Sequence, residues 1–136
     1  MVSILAAGAA RVGYTPIMEA NITKTGHSPG EQPKTWSGRS DLMLSDGKDI
    51  YAFEFKLSWP DSNSGEFDRS LAEATGDAAC LSNDNYEHRY AGIASSYSGI
   101  KGREDARAYQ KCDHRFISPL NASADTGLIV MFRKVK

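Results

Sequence analysis

Asp41-Leu42-Met43-Leu44-Ser45-Asp46-Gly47-Lys48-Asp49-Ile50-Tyr51-Ala52-Phe53-Glu54-Phe55-Lys56-Leu57 is the stretch whose reading decides the fold. Two runs of strand-forming residues flank a polar turn that contains a glycine, the pattern of a β-hairpin. Side chains alternate along a strand, so Tyr51, Phe53, Phe55 and Leu57 share one face and read as core. Ile50, Ala52, Glu54 and Lys56 share the other. That second face begins apolar and ends charged, which is expected where a sheet opens into a cleft.

Working outward, Met1 to about Val12 is rich in alanine and aliphatic residues and predicts a helix ending near Gly13, rather than a secretory signal, since a basic start is lacking. Tyr14 to about Thr23 predicts a strand, placed at a sheet edge by Pro16. Lys24 to Gly38, with Gly26, Pro29, Gly30 and Pro33, reads as a loop. On the other side, Phe67, Leu71, Ala74, Ala78 and Leu81 recur at helical spacing and predict an amphipathic helix. Arg89 to Tyr97 predicts a strand and Arg103 to about Lys111 a short helix. Leu128-Ile129-Val130-Met131-Phe132 is a continuous apolar run suited to a strand covered on both faces.

This order of elements predicts an α/β fold, a mixed central β-sheet flanked by helices. A chain of 136 residues, 40% hydrophobic and 24% charged, suits a single domain over 1–136. No apolar run approaches the roughly 20 residues of a membrane-spanning helix. Two cysteines, Cys80 and Cys112, lack metal-type spacing and imply neither a disulfide framework nor a zinc site, so a reduced, cytoplasmic setting is expected. With a formal net charge of −1, nucleic-acid binding would have to come from a local patch.

If the turn centres between Gly47 and Lys48, Asp41 falls opposite Glu54, with Lys56 about 7 Å further along the same face. Facing carboxylates repel unless a cation sits between them. A divalent ion of the magnesium type is the natural candidate, because it needs only one or two carboxylates plus water and phosphate. A neighbouring ammonium then orients a water or stabilises charge on a phosphate, and the set suits phosphodiester hydrolysis.

These residues resemble the PD-(D/E)XK nuclease superfamily. Its motif, an Asp at the start of one strand and Glu or Asp, any residue, then Lys on the next, is matched by Gly38-Arg39-Ser40-Asp41-Leu42-Met43-Leu44 and Tyr51-Ala52-Phe53-Glu54-Phe55-Lys56, followed by a helix and a strand. The resemblance covers about residues 36 to 97. It implies a restriction-endonuclease-like fold, magnesium or manganese held by Asp41, Glu54 and the Phe55 carbonyl, and Lys56 acting on the attacking water. Ser40 stands where the family commonly has proline. Glu19 is the nearest counterpart of a glutamate that many members carry upstream, and the helix after the motif offers Arg69, Glu73 and Asp77 where Gln or Lys is common.

The resulting expectation is a metal-dependent nuclease acting on DNA, with Asp41, Glu54 and Lys56 as the catalytic set; the alternative is a non-catalytic module of the same fold that binds nucleic acid or a protein. Lys34, Arg39, Arg69, Lys101 and Arg103 are candidate phosphate contacts, with Trp36 or Trp59 for base stacking. The near-neutral charge suggests that further DNA-gripping surface comes from a homodimer partner or another domain. Cys112-Asp113-His114 has no partner of matching spacing and does not read as a metal site.

Overall fold

The computed structural model describes residues 1–26, 32, 34–58, 64–81, 86, 88–98, 111–119 and 126–136. Its elements run α1 (Val2–Arg11), β1 (Thr15–Gly26), β2 (Lys34–Ser45), β3 (Ile50–Ser58), α2 (Ser64–Ala79), β4 (His88–Ser98), β5 (His114–Pro119) and β6 (Thr126–Val135). The strands form one mixed sheet in the order β1-β2-β3-β4-β6-β5. The α/β architecture is therefore as expected.

At the β2–β3 turn, Asp46 Oδ1 accepts the main-chain N–H groups of Lys48 and Asp49 at 2.9 and 2.7 Å, and Gly47 adopts a φ of 90° that favours glycine. These contacts hold the Asp46 carboxyl below its usual range, the Asp49 amide contributing most. The turn fixes an antiparallel register of Ser45 with Ile50, Leu44 with Tyr51, Met43 with Ala52 and Leu42 with Phe53. Strand β3 then pairs in parallel with β4, and α2 lies in the crossover that such a pair requires. Both β4 and β5 run antiparallel to β6, so they are parallel to one another. Just before β5, Lys111 Nζ lies 2.7 Å from Asp68 on α2, and Cys112 packs against the core beneath that helix.

Two layers of packing result. Leu71, Ala74 and Ala78 of α2 meet Ala91, Ile93, Ile129 and Met131 on one side of the sheet, where paired alanines let helix and sheet approach closely. On the other side α1 places Met1 and Leu5 against Phe53, Phe55, Tyr90, Leu128 and a buried set of Ala94, Val130 and Phe132. A methyl group on Gly92 of β4 would run into the ring of Phe55, so this glycine leaves the space that the ring fills.

Four sequence expectations are corrected. The Lys24–Gly38 loop is shorter than read, because β1 and β2 form a hairpin whose pairs run out to Gly26 with Lys34. The strand carrying Asp41 begins at Lys34, well before the aspartate. Strand β5 was not foreseen. The two faces of β3 divide differently from the expectation: Ala52 and Glu54 are buried, Phe53 and Phe55 pack against a core cluster while bordering an open cavity, and Leu57 is 60% exposed. The helix expected over Arg103 to Lys111 lies, but for its last residue, outside the described residues.

Candidate active site

Pairing between β2 and β3 ends at Leu42 with Phe53, and one step further the same register sets Asp41 level with Glu54. There the two strands no longer pair through their backbones. Instead Asp41 Oδ2 accepts the Phe55 main-chain N–H at 2.7 Å, a carboxylate taking the place of a ladder carbonyl. Beyond this point the β1–β2 hairpin leaves β3. Glu19 of β1, level with Asp41, has a φ of 50°, uncommon for a residue with a side chain, and the far arm docks against the end of α2, where Thr25 N–H donates to Cys80 O at 2.7 Å.

That arm brings Lys24 to the carboxylates. Its Nζ lies 3.0 Å from Glu54 Oε1, the side chains being 14% and 7% exposed. Burial pushes the Glu54 carboxyl above its usual range; the Lys24 ammonium opposes this, while the negative charges of Asp41 and Asp77 add to it. Lys56, two residues on and on the same side of β3, places its Nζ 2.7 Å from Asp77 Oδ2 on α2. The hydrogen bond to Asp77 raises the Lys56 pKa, with Glu73 and Asp41 contributing the same way. Lys56 is therefore a firmly protonated cation at the half-open mouth of the site. Helix α2 is held in register by Arg89 of β4, whose guanidinium donates to Ala79 O at 3.0 Å and Leu81 O at 3.2 Å, satisfying carbonyls at the helix end.

Asp41, Glu54 and Lys56 are thus brought together, with Lys24 and Asp77 added. Lys24 escapes the sequence because it stands in a stretch that reads as loop; Asp77 is one of the three residues that the sequence has the helix offer where Gln or Lys is common. Glu19 turns to Arg39 instead, its carboxylate 3.2 Å from Nη1 with both side chains largely exposed. The other proposed phosphate contacts do not converge on these carboxylates: Lys34 and Arg69 are exposed on β2 and α2, and Lys101, Arg103 and Trp59 lie outside the described residues. Trp36 is 44% exposed, beside Gly26. Asp113 accepts the Lys134 N–H at 2.6 Å, and the neighbouring His114 is exposed.

Carboxylates are the donor type that a hard divalent cation takes. Two carboxylates lie at facing positions beside a strand whose ladder has opened, and a positive charge, the Lys24 ammonium, already balances one of them. Among the described residues no group of three acidic, histidine or cysteine side chains converges, so an ion here would draw its remaining ligands from main chain, water and substrate. No described helix is long and apolar enough to cross a membrane. Compared with protein-family models, with curated proteins and with solved structures, the chain matches none.

Proposed function

We propose that this chain is a divalent-metal-dependent nuclease of restriction-endonuclease-like fold, acting on DNA from a site built on Asp41, Glu54 and Lys56. The observation that carries the reading is the opening of the β2–β3 ladder, with Asp41 level with Glu54 and the Lys56 ammonium on the same side of β3. The element order supports it: the motif falls on two adjacent antiparallel strands followed by a helix and a parallel strand. Asp41, Glu54 and the Phe55 main-chain carbonyl would hold magnesium or manganese, and a bound ion supplies polarisation of the phosphate and a water of lowered pKa. Asp41 would serve as one ligand with its carboxylate held in place by the Phe55 N–H. Lys56, its ammonium 2.7 Å from Asp77, acts as a positive charge that orients the attacking water and stabilises the charge growing on the phosphate.

The test compares wild type with Asp41→Asn and Lys56→Ala on plasmid, linear duplex, single-stranded DNA and RNA, with magnesium, with manganese and with a chelator. Metal-dependent cleavage should fall on the order of 10²- to 10³-fold for each substitution. Cleavage that survives both would remove this assignment. A second reading, a non-catalytic module of the same fold that binds nucleic acid or a protein, is favoured by the way the charges are satisfied internally, Lys24 on Glu54 and Lys56 on Asp77. Binding to DNA without cleavage under any metal condition would select it. Gel filtration of the DNA complex tests the expected homodimer or additional domain; a strict monomer that binds tightly alone would contradict it.

A further inference from the structure

Lys24 is a cation to which the proposed reaction gives no task, yet the fold goes to some length to deliver it. The end of β1 is pinned to the end of α2 through the Thr25 N–H on Cys80 O and a bridge between Lys24 and Leu81. The lysine stem then runs against Gly38 of β2. A Cβ at Gly38 would sit 2.9 Å from Lys24 Cδ and 3.1 Å from Cγ and Cε, so a side chain there would require the lysine stem to shift from the path by which Nζ reaches Glu54 on β3. The pair that forms is largely shielded from solvent, Glu54 more than Lys24.

We propose that Lys24 is the resident counter-cation of the site, and that a divalent ion and the Lys24 ammonium exchange for the Glu54 carboxylate, so that metal loading requires release of Lys24. The proposal rests on the metal-site reading above. An ion taking Glu54 as ligand would stand within a few ångströms of Nζ, and two positive charges at that range in a buried place repel strongly. Of the two cations, the lysine is tethered by a flexible four-carbon stem and can move without unfolding the strand that bears it. Before an ion arrives, Lys24 balances the buried Glu54 charge beside Asp41; afterwards its ammonium is free for solvent or for the anionic substrate.

Two measurements test this. Thermal melting under magnesium and manganese titration compares wild type, Lys24→Met, which keeps the unbranched stem over Gly38 without the charge, and Asp41→Asn. Metal should stabilise the wild type, and its half-point should fall about tenfold or more in Lys24→Met. On the wild type alone, and therefore independent of how the variant folds, acetylation of lysines read by mass spectrometry should show Lys24 reacting several-fold faster with metal present, while exposed Lys48 does not change. Equal half-points, or Lys24 labelling that stays constant at metal concentrations that saturate the melting shift, would overturn the exchange and leave the metal site standing. No metal-dependent shift in wild type or in Lys24→Met would overturn both.

Discussion

Beneath α2 the sheet offers alanines, Ile93 and a paired charge; beneath α1 it offers aromatic rings. On the first side Ala52, Ala91 and Ile93 are fully buried and Glu54 nearly so. On the second, Phe53 stacks on Tyr90 at 5.2 Å and meets Phe132 edge-on at 5.6 Å, yet these rings border a cavity of about 320 Å³ and Phe116 stays 62% exposed. The contrast teaches that burial follows from what can be closely covered, not from how apolar a strand face is. Small residues let a helix settle within reach of a charged pair and exclude water from it, which strengthens the electrostatics inside.

The largest expected effect falls on the α2 side. Lys24→Met, which strands the buried Glu54 carboxylate, should cost roughly 3–5 kcal/mol in chemical denaturation, and the double variant Lys24→Met/Glu54→Gln distinctly less than the sum of the two single costs. Additive costs would mean that the pair is solvated and the contrast between the faces overstated. Next, Ile93→Ala should cost about 2–5 kcal/mol, whereas Phe116→Ala should stay within about 0.5 kcal/mol. Similar losses would show the aromatic side to be covered in solution.

The smallest effect is with pH. Burial raises the folded Glu54 pKa above its unfolded value near 4.5, so the folded chain holds that proton more tightly. Its contribution favours folding below the unfolded pKa and is lost as pH rises through the folded one. Wild type should therefore lose stability relative to Glu54→Gln across the interval just above pH 4.5, read from denaturation midpoints. An opposite slope would mean that Lys24 outweighs burial.

The hairpin was legible because Asp46 and Gly47 specify their turn locally, and with the turn came the register that sets Asp41 level with Glu54. Helix α2 was legible from its spacing. What escaped depends on contacts far apart in the chain. Lys24 joins the site only through the departure of the hairpin arm near Glu19, the docking of Thr25 on Cys80 and the bare backbone of Gly38. The buried face of β3 was misassigned because alanine weighs little in a hydrophobic pattern, though it is alanine that admits the helix. Strand β5 escaped because His114-Arg115-Phe116, at the sheet edge, shows no apolar alternation.

Gly92 gives this arrangement a further property. The Phe55 ring fills the space over that glycine, while the Phe55 main chain carries the N–H bound by Asp41 and joins Glu54 to Lys56. One residue is thus shared by the two sides of the sheet, its ring wedged on one and its amide holding the other. A bulkier residue at position 92 would act as a lever, tilting the ring and, through the peptide it belongs to, misaligning carboxylates on the opposite surface that it never touches.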